Sequence, residues 1–518
     1  MEQLPFQDSA FLHLESAAVK THFTLIAVYD QSTVPGEKLL YRDIVAKLSS
    51  IIDTMPIFRR RIQHVPFELD YPYLVDDPKY HIESHLRHIA LPAPYDWRQF
   101  CILASQIEAS HMDLSKPLWD ITVVEGLNNV EGVPVGSFAL LIRLHHAVAD
   151  GDTVRGLLAA LHQPTNFLPS GSTPYVSQSM PKLPKLAYRA VINNAKRGQT
   201  IQKALLKKVP GITGSVGKSL LSKFNKPQDS QSQDQNIKVP FTPFNQALSY
   251  RRVFQAVNLP FDEVKALRNA VDGATIKDLV SAITAGALKS YLEWEGELPE
   301  ESLHAVSPVN QREQKFSDQN TFGNNISMMR ICLHTDEPDP IKRLGLVMKE
   351  TRASKKEQSD SSTKELIALS GEIPNAVLAS AARIGMPYAL NYTKSHALAN
   401  CVISNIPGPP EALYFMGAEM TLLTGVGPLV PGMGPTIGVI SYHGRLIMGI
   451  AACPHWIKDP QKLAQCFTNS FEELKCAAKS IKSVPATKLA GHQSKPAKTS
   501  KPKPKKAAAT EPTSEKTP

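Results

Sequence analysis

Apolar residues along this chain alternate between near-continuous runs and stripes at helical spacing, the signature of strands and helices in turn. HFTLIAVYD (22–30) reads as a strand, and DIVAKLSSIIDTM (43–55) as an amphipathic helix with Ile44, Leu48 and Ile51 on one face. SFALLIRLHH (137–146) is almost entirely apolar until it ends in polar residues, as a buried strand does on reaching a site. GDTVRGLLAALH (151–162) comes next as a helix, with Leu157, Leu158 and Leu161 toward a core and Asp152 as its expected cap. The mixture returns after residue 240. ATIKDLVSAITAGALKSYL (274–292) reads as a helix, NISMMRICLH (325–334) as a strand, and GVISYHGRLIMGIAA (438–452) as two strands about a His-Gly turn. DPQKLAQCFTNSFEELKCAAKSI (459–481) carries an apolar stripe of Leu463, Phe467, Phe471, Leu474, Ala478 and Ile481.

These elements predict an α/β protein, mixed sheets with flanking helices, in two lobes at 1–163 and 240–482. The length of 518 residues agrees, being too great for one ordinary domain. Residues 164–239 read as a connection between the lobes, and 483–518 as a disordered tail rich in Lys, Pro and Ala.

Charge sharpens this division. The net charge of +9 is concentrated: the tail carries +6, and 181–226 holds eleven Lys and Arg with no Asp or Glu, which leaves the remainder acidic at −8. Within that block Leu183, Leu186, Ala187, Ala190, Val191, Ala195, Ile201, Ala204 and Leu205 recur with rough helical spacing. Two readings stand: a basic amphipathic segment lying on an anionic membrane or lipid surface, or a solvated linker with helical content. Nucleic acid is disfavoured, because Tyr188 is the block's one aromatic residue before Phe224 and no nucleic-acid fold signature is present.

The N-terminus, MEQLPFQDSAFLHLES, lacks the basic start and apolar core of a signal peptide. No apolar stretch approaches the length needed to span a bilayer. No two of Cys101, Cys332, Cys401, Cys453, Cys466 and Cys476 are separated by only two residues, so neither a zinc knuckle nor a redox pair is visible. The expectation is a cytosolic protein with reduced thiols.

The sharpest chemical signal is LHHAVADGDT, which sets His145, His146, Asp150 and Gly151 in the pattern H-H-x-x-x-D-G between a buried strand and a helix. An alcohol is a poor nucleophile until its proton is removed. A histidine at the end of a rigid strand can remove it near neutral pH as the oxygen attacks a carbonyl carbon. Asp150 could touch the imidazole or brace the turn, and Asp-Gly at such a junction favours bracing. The sequence has no G-x-S-x-G elbow, so a serine acyl-enzyme has no support.

HHxxxDG resembles the active-site motif of the wax ester synthase/diacylglycerol acyltransferase family, CoA-dependent acyltransferases built like chloramphenicol acetyltransferase. Further stretches resemble that family in the same order: SAFLHLES (9–16), SKPLWDITVVEGL (115–127), TPFNQALSYRR (242–252), FGNNIS (322–327), ISNIPGP (403–409) and SYHGRLIMGI (441–450). The resemblance covers about residues 8–163 and 240–482. It implies two chloramphenicol-acetyltransferase-like lobes with an active-site tunnel between them. It also implies acyl-CoA as co-substrate with no other cofactor and no metal, and a fatty alcohol or diacylglycerol as acceptor, without a covalent acyl-enzyme. His146 would be the general base on the acceptor hydroxyl, His145 its support, and Asp150 and Gly151 the loop that holds them. With the basic segment as its attachment, the protein would be cytoplasmic and peripheral to a membrane or lipid inclusion.

One departure bears on activity. Where the family's helix carries Asn-Asp, this chain has Lys277-Asp278. Asp278 keeps the match, while Lys277 could meet a phosphate or a substrate carbonyl, or mark a weakened enzyme. The alternatives are therefore a lipid-surface binding protein that has lost catalysis, or an acyltransferase for another hydroxyl. Asn324, Asn325 and Asn405 carry amides that could donate to an oxyanion or position the acceptor, although turn and bulge chemistry is the favoured reading. Three other patterns are weaker. HIESHLRH spaces His81, His85 and His88 like a helical zinc site but lacks Glu directly after the first His. Gly425, Gly427, Gly432 and Gly434 precede no convincing helix, which argues against a phosphate loop. Arg59, Arg60 and Arg61 could meet CoA phosphates but read rather as a solvated face.

Overall fold

A computed structural model describes residues 1–36, 38–162, 181–208, 238–310, 326–358 and 372–482. Two six-stranded sheets organise it. The first runs, in spatial order, Tyr414–Phe415, Ala418–Val426, His22–Asp30, Ser137–His145, Trp119–Leu127, Leu86–Ala90. It is antiparallel except for its last pair. Ser137–His145 is buried at every residue. Leu140, Ile142 and Leu144 pack with the helices Tyr41–Ile52 and Gly151–Leu161, while Ala139 and Leu141 face the helix Trp97–Ala109 and the core of the second lobe. A strand covered on both faces has no polar side, which is why its sequence is a run and not an alternation.

The second sheet runs Ile326–Cys332, His304–Asn310, Cys401–Pro407, Thr436–Tyr442, Arg445–Ala452, Val253–Pro260, with Cys401–Pro407 parallel to both its neighbours. The His-Gly turn forms as its sequence predicts: His443 and Gly444 both have positive φ, at 39° and 75°, the backbone that a two-residue hairpin demands. The helix Ile276–Glu295 opens with a capping box of Thr275 and Asp278 and stops at Gly296, in the left-handed region. It buries Leu279, Ile283 and Leu288 in the core that Leu463, Phe467, Phe471 and Leu474 of the last helix, Pro460–Lys482, complete.

Ala418–Val426 comes from the second half of the chain yet pairs with His22–Asp30 in the first sheet. It brings the sheets into backbone contact. A Cβ on Gly449 of the second sheet would lie 2.2 Å from the carbonyl oxygen of Gly425, so only glycine admits the approach. Gly434, at φ 59°, is similarly fixed, since a Cβ there would stand 2.0 Å from the Asn400 carbonyl oxygen. Three of the four glycines weighed in sequence, Gly427, Gly432 and Gly434, stand where a Cβ would come within 3 Å of a neighbouring atom.

The first part of the basic block is one helix, Leu183–Lys208. It rests Leu186 and Ala190 on Val65, Tyr73 and Val75, beside a small sheet of Glu2–Gln3, Tyr73–Asp76 and Arg60–Gln63. The block beyond residue 208 and the tail lie outside the described residues. Among the described residues no helix is long and apolar enough to cross a membrane. All six cysteines are free thiols.

Candidate active site

The strand Ser137–His145 delivers both histidines to one turn. The His145 N–H bonds the Leu118 carbonyl at 3.1 Å and the His146 N–H bonds the Thr21 carbonyl at 3.0 Å, so both backbones are pinned to neighbouring segments. Asp150 then caps the helix Gly151–Leu161, accepting from the N–H and the hydroxyl of Thr153, each at 2.9 Å. The cap is therefore Asp150 and not Asp152, which pairs with Arg155 on the exposed first turn. Gly151 begins the helix, and a Cβ on it would meet nothing within 4 Å.

The two histidines have different surroundings. His145 is fully buried and bonded at both ring nitrogens. The Ala147 N–H donates to its Nδ1 at 3.0 Å, which places the ring proton on Nε2. Nε2 donates to Thr21 Oγ1 at 2.9 Å, and that hydroxyl donates to Glu15 Oε2 at 2.6 Å. Burial alone would push the Glu15 carboxyl up, but the His145 ring at 3.7 Å and the Thr21 hydrogen bonds outweigh it and hold the group well below the usual carboxylate range. His146 instead lies among aromatic rings. It stacks on Phe11 at 4.9 Å and tilts against Phe23 at 4.7 Å. The residue keeps partial access to solvent while its Nδ1 is buried. Burial first, then the neighbouring His145, lowers the His146 pKa to about 3, so its imidazole is neutral around pH 7 and able to accept a proton.

Behind this pair lies a second buried cluster. His22 Nε2 donates to the Glu108 carbonyl at 2.8 Å, and the Thr24 hydroxyl donates to the Glu108 carboxyl. Burial raises the Glu108 pKa to about 8, and burial with the Arg143 charge lowers that of His22 to about 3. Both are neutral near pH 7, so their approach at 3.7 Å is not an ion pair. Arg143, within the apolar strand, meets both oxygens of Asp120 and donates to the Ile107 and Ser110 carbonyls, each at 2.8 Å. From the second lobe, Arg252 donates to the Ala18 carbonyl at 2.5 Å and so clamps the loop that leads to Thr21. A cavity of about 730 Å³ opens beside it, between the helix Trp97–Ala109, residues 250–255 and the start of the last helix.

The other sequence candidates lie elsewhere. Asp278 uses both oxygens, one for the Thr275 cap and one for the Thr351 hydroxyl at 2.5 Å, which ties its helix to the helix Pro340–Gln358. Lys277 is half-buried, and burial followed by the Lys355 charge brings its pKa down to about 8. Asn405 is exposed on Cys401–Pro407. Asn324 and Asn325 fall outside the described residues. His85 bonds the Trp119 carbonyl while His88 meets Glu125, so these two histidines have separate partners. Arg59 and Arg60 pair with Asp53 and Asp76. Sequence reasoning missed Glu15, Thr21, Glu108, Arg143 and Arg252. A signal existed for Arg143, since a charge inside a strand buried on both faces requires a partner.

Two packed lobes of mixed sheet with flanking helices give the chain a two-lobed, chloramphenicol-acetyltransferase-like fold. Residues 4–280 match the wax ester synthase/diacylglycerol acyltransferase catalytic domain, and 322–475 match the C-terminal domain of the same family. The chain belongs to this family of enzymes. It is 29% identical to a Mycobacterium tuberculosis protein provisionally named a diacylglycerol O-acyltransferase, over 92% of this chain and 90% of that one. It is 28% identical to the O-acyltransferase WSD of Acinetobacter baylyi, over 75% and 80%. The solved wax ester synthase/diacylglycerol acyltransferase of Marinobacter aquaeolei shares the fold, with a TM-score of 0.63 at 22% identity, over 92% of this chain and 100% of that one.

Proposed function

We propose that this chain moves a long-chain acyl group from acyl-CoA to the hydroxyl of a fatty alcohol or diacylglycerol, with His146 as general base. The observation that carries the reading is the unequal treatment of the two histidines. His145 has both nitrogens committed, which suits a positioning role, whereas His146 is neutral and partly accessible. In the reaction His146 takes the acceptor's O–H proton as that oxygen bonds the thioester carbon. The tetrahedral intermediate then expels the CoA sulfur, and the imidazolium returns the proton to it. No covalent acyl-enzyme forms and no cofactor beyond the co-substrate is needed. The lobe junction holds both substrates and excludes the water that would hydrolyse the thioester. The relatives' names support the substrate classes, and the family stretch 9–16 supports the site, because it supplies Phe11 and Glu15. The protein would act in the cytoplasm, with the basic segment 181–226 attaching it to a membrane or lipid inclusion.

The test is CoA release from palmitoyl-CoA with hexadecanol or diacylglycerol, for the wild type and His146→Ala. Acceptor-dependent release that falls about 10²- to 10⁴-fold in the variant is expected. Because neutral His146 persists down to about pH 3, the wild-type kcat/KM should stay level through pH 6.5, where an ordinary histidine titrates. Equal release by the variant moves the base elsewhere. No release with either acceptor favours another hydroxyl or a binding protein.

A further inference from the structure

The turn at 66–68 holds Phe67 in water at 88% exposure. Its backbone is also unfavourable, since Phe67 and Glu68 both take left-handed φ values, 56° and 55°. Yet the turn is fastened on two sides. Glu68 accepts from Asn375 at 2.9 Å. The Leu69 carbonyl accepts from Asn194 at 2.6 Å, and Asp70 pairs with Arg197 at 2.5 Å. Those partners belong to two helices, Asn375–Tyr392 and Leu183–Lys208, so Phe67 projects from the seam between them.

Each helix carries an exposed apolar stripe. Val377, Ala381, Ile384 and Tyr388 fall at i, i+4, i+7 and i+11 on one face. Ile384 and Tyr388 are 78% and 74% exposed. On the basic helix, Leu186 and Ala190 face the protein while Tyr188 and Val191 face solvent. Lys185, Arg189 and Lys196, at i, i+4 and i+11, border that exposed strip.

We propose that these three adjoining elements form a docking face for an anionic phospholipid surface. Phe67 and the two stripes enter the boundary between headgroups and acyl chains, and Lys185, Arg189 and Lys196 meet the lipid phosphates. Charge complementarity selects this occupant: Leu183–Lys208 contains no Asp or Glu, and cations beside apolar and tyrosine side chains match an anionic headgroup layer over hydrocarbon. Tyr188 and Tyr388 suit the boundary because their rings can be buried while their hydroxyls stay wet. The inference rests on the reading that the substrates are lipids held at such a surface. It adds a hydrophobic wedge, from outside the basic segment, to the attachment that the charge pattern suggests.

The experiment is co-sedimentation of the full chain with phosphatidylcholine vesicles, with and without phosphatidylglycerol, as His146→Ala and as wild type. Binding by both proteins, stronger with phosphatidylglycerol, is expected, and it is independent of turnover. Lys185→Glu with Arg189→Glu should weaken it about fivefold or more per charge. Phe67→Ser with Ile384→Ser should weaken it about tenfold or more, even at high salt. Both variants should keep wild-type rates on a soluble short-chain acyl-CoA and alcohol, which reports intact folding. Wild-type binding that both variants retain overturns the proposal. So does a failure of the wild type to bind, including the case in which it self-associates through this face and the variants do not.

Discussion

The first sheet ends, at His145, in buried polar side chains: Glu15, Thr21, His22, Thr24, Glu108 and Arg143 bond mainly to one another and to nearby carbonyls. The second sheet is enclosed by apolar side chains. Its notable buried amides, Asn245 and Asn400, bond loop carbonyls, at Ala399 and Pro240 respectively. Burying polar groups is costly unless each finds a partner. The first lobe bears that cost where chemistry would need a fixed imidazole. The second lobe spends polar groups such as Asn245 and Asn400 on tying loops and Asp278 on joining two helices, and contributes a strand, a clamp through Arg252 and close backbone contact. Equal sheets thus divide into a lobe that buries a polar cluster around the paired histidines and a lobe that supports it.

The contrast breaks most severely at Arg143. Arg143→Met leaves the Asp120 carboxylate without its principal buried partner and should lower stability by about 3–5 kcal/mol in denaturant titration. A loss under about 1 kcal/mol would mean that the cluster is not coupled. Thr21→Val keeps the shape but removes the acceptor of the His145 ring proton. A fall in kcat of roughly 10- to 100-fold is expected, with KM little changed. If KM moves instead, Thr21 serves binding and not the orientation of His145. On the supporting side, Gly449→Ala forces Gly425 and the sheets apart, and should cost about 1–3 kcal/mol. An unchanged Tm would show that the inter-sheet contact yields easily.

Glu108→Gln gives the smallest effect near pH 5 and the sharpest sign above it. The folded-state pKa of Glu108 is raised to about 8, so its stabilising share is complete below its unfolded value of about 4.5 and is lost as pH rises through about 8. Glutamine cannot lose that proton. The variant should therefore be as stable as the wild type near pH 5 and more stable above pH 8. The opposite crossing would place an ionised carboxylate beside His22.

The site was legible in part. The motif located His145, His146 and the turn, because a strand end, its turn and the next helix cap are all specified within a few consecutive residues. The relay was not legible, because Glu15 and Thr21 lie far from His145 in sequence and only the pairing of His22–Asp30 with Ser137–His145 brings them together. Asp278 was singled out as a match and proves to be a cap, a role that depends on the local T-x-x-D spacing of Thr275 and Asp278.

The sequence by itself determined the local terms: the runs and stripes that became strands and helices, the His-Gly turn, the basic helix, and the family, whose motifs stand in order along the chain. These arise from backbone sterics and side-chain periodicity within a few turns. Tertiary structure alone decided that Ala418–Val426 joins the first sheet, that Arg252 clamps the loop before Thr21, and that His145 and His146 differ. The two histidines are neighbours in the chain with the same side chain. Burial, tautomer and hydrogen-bond partners distinguish them, and those are properties of the packed surroundings.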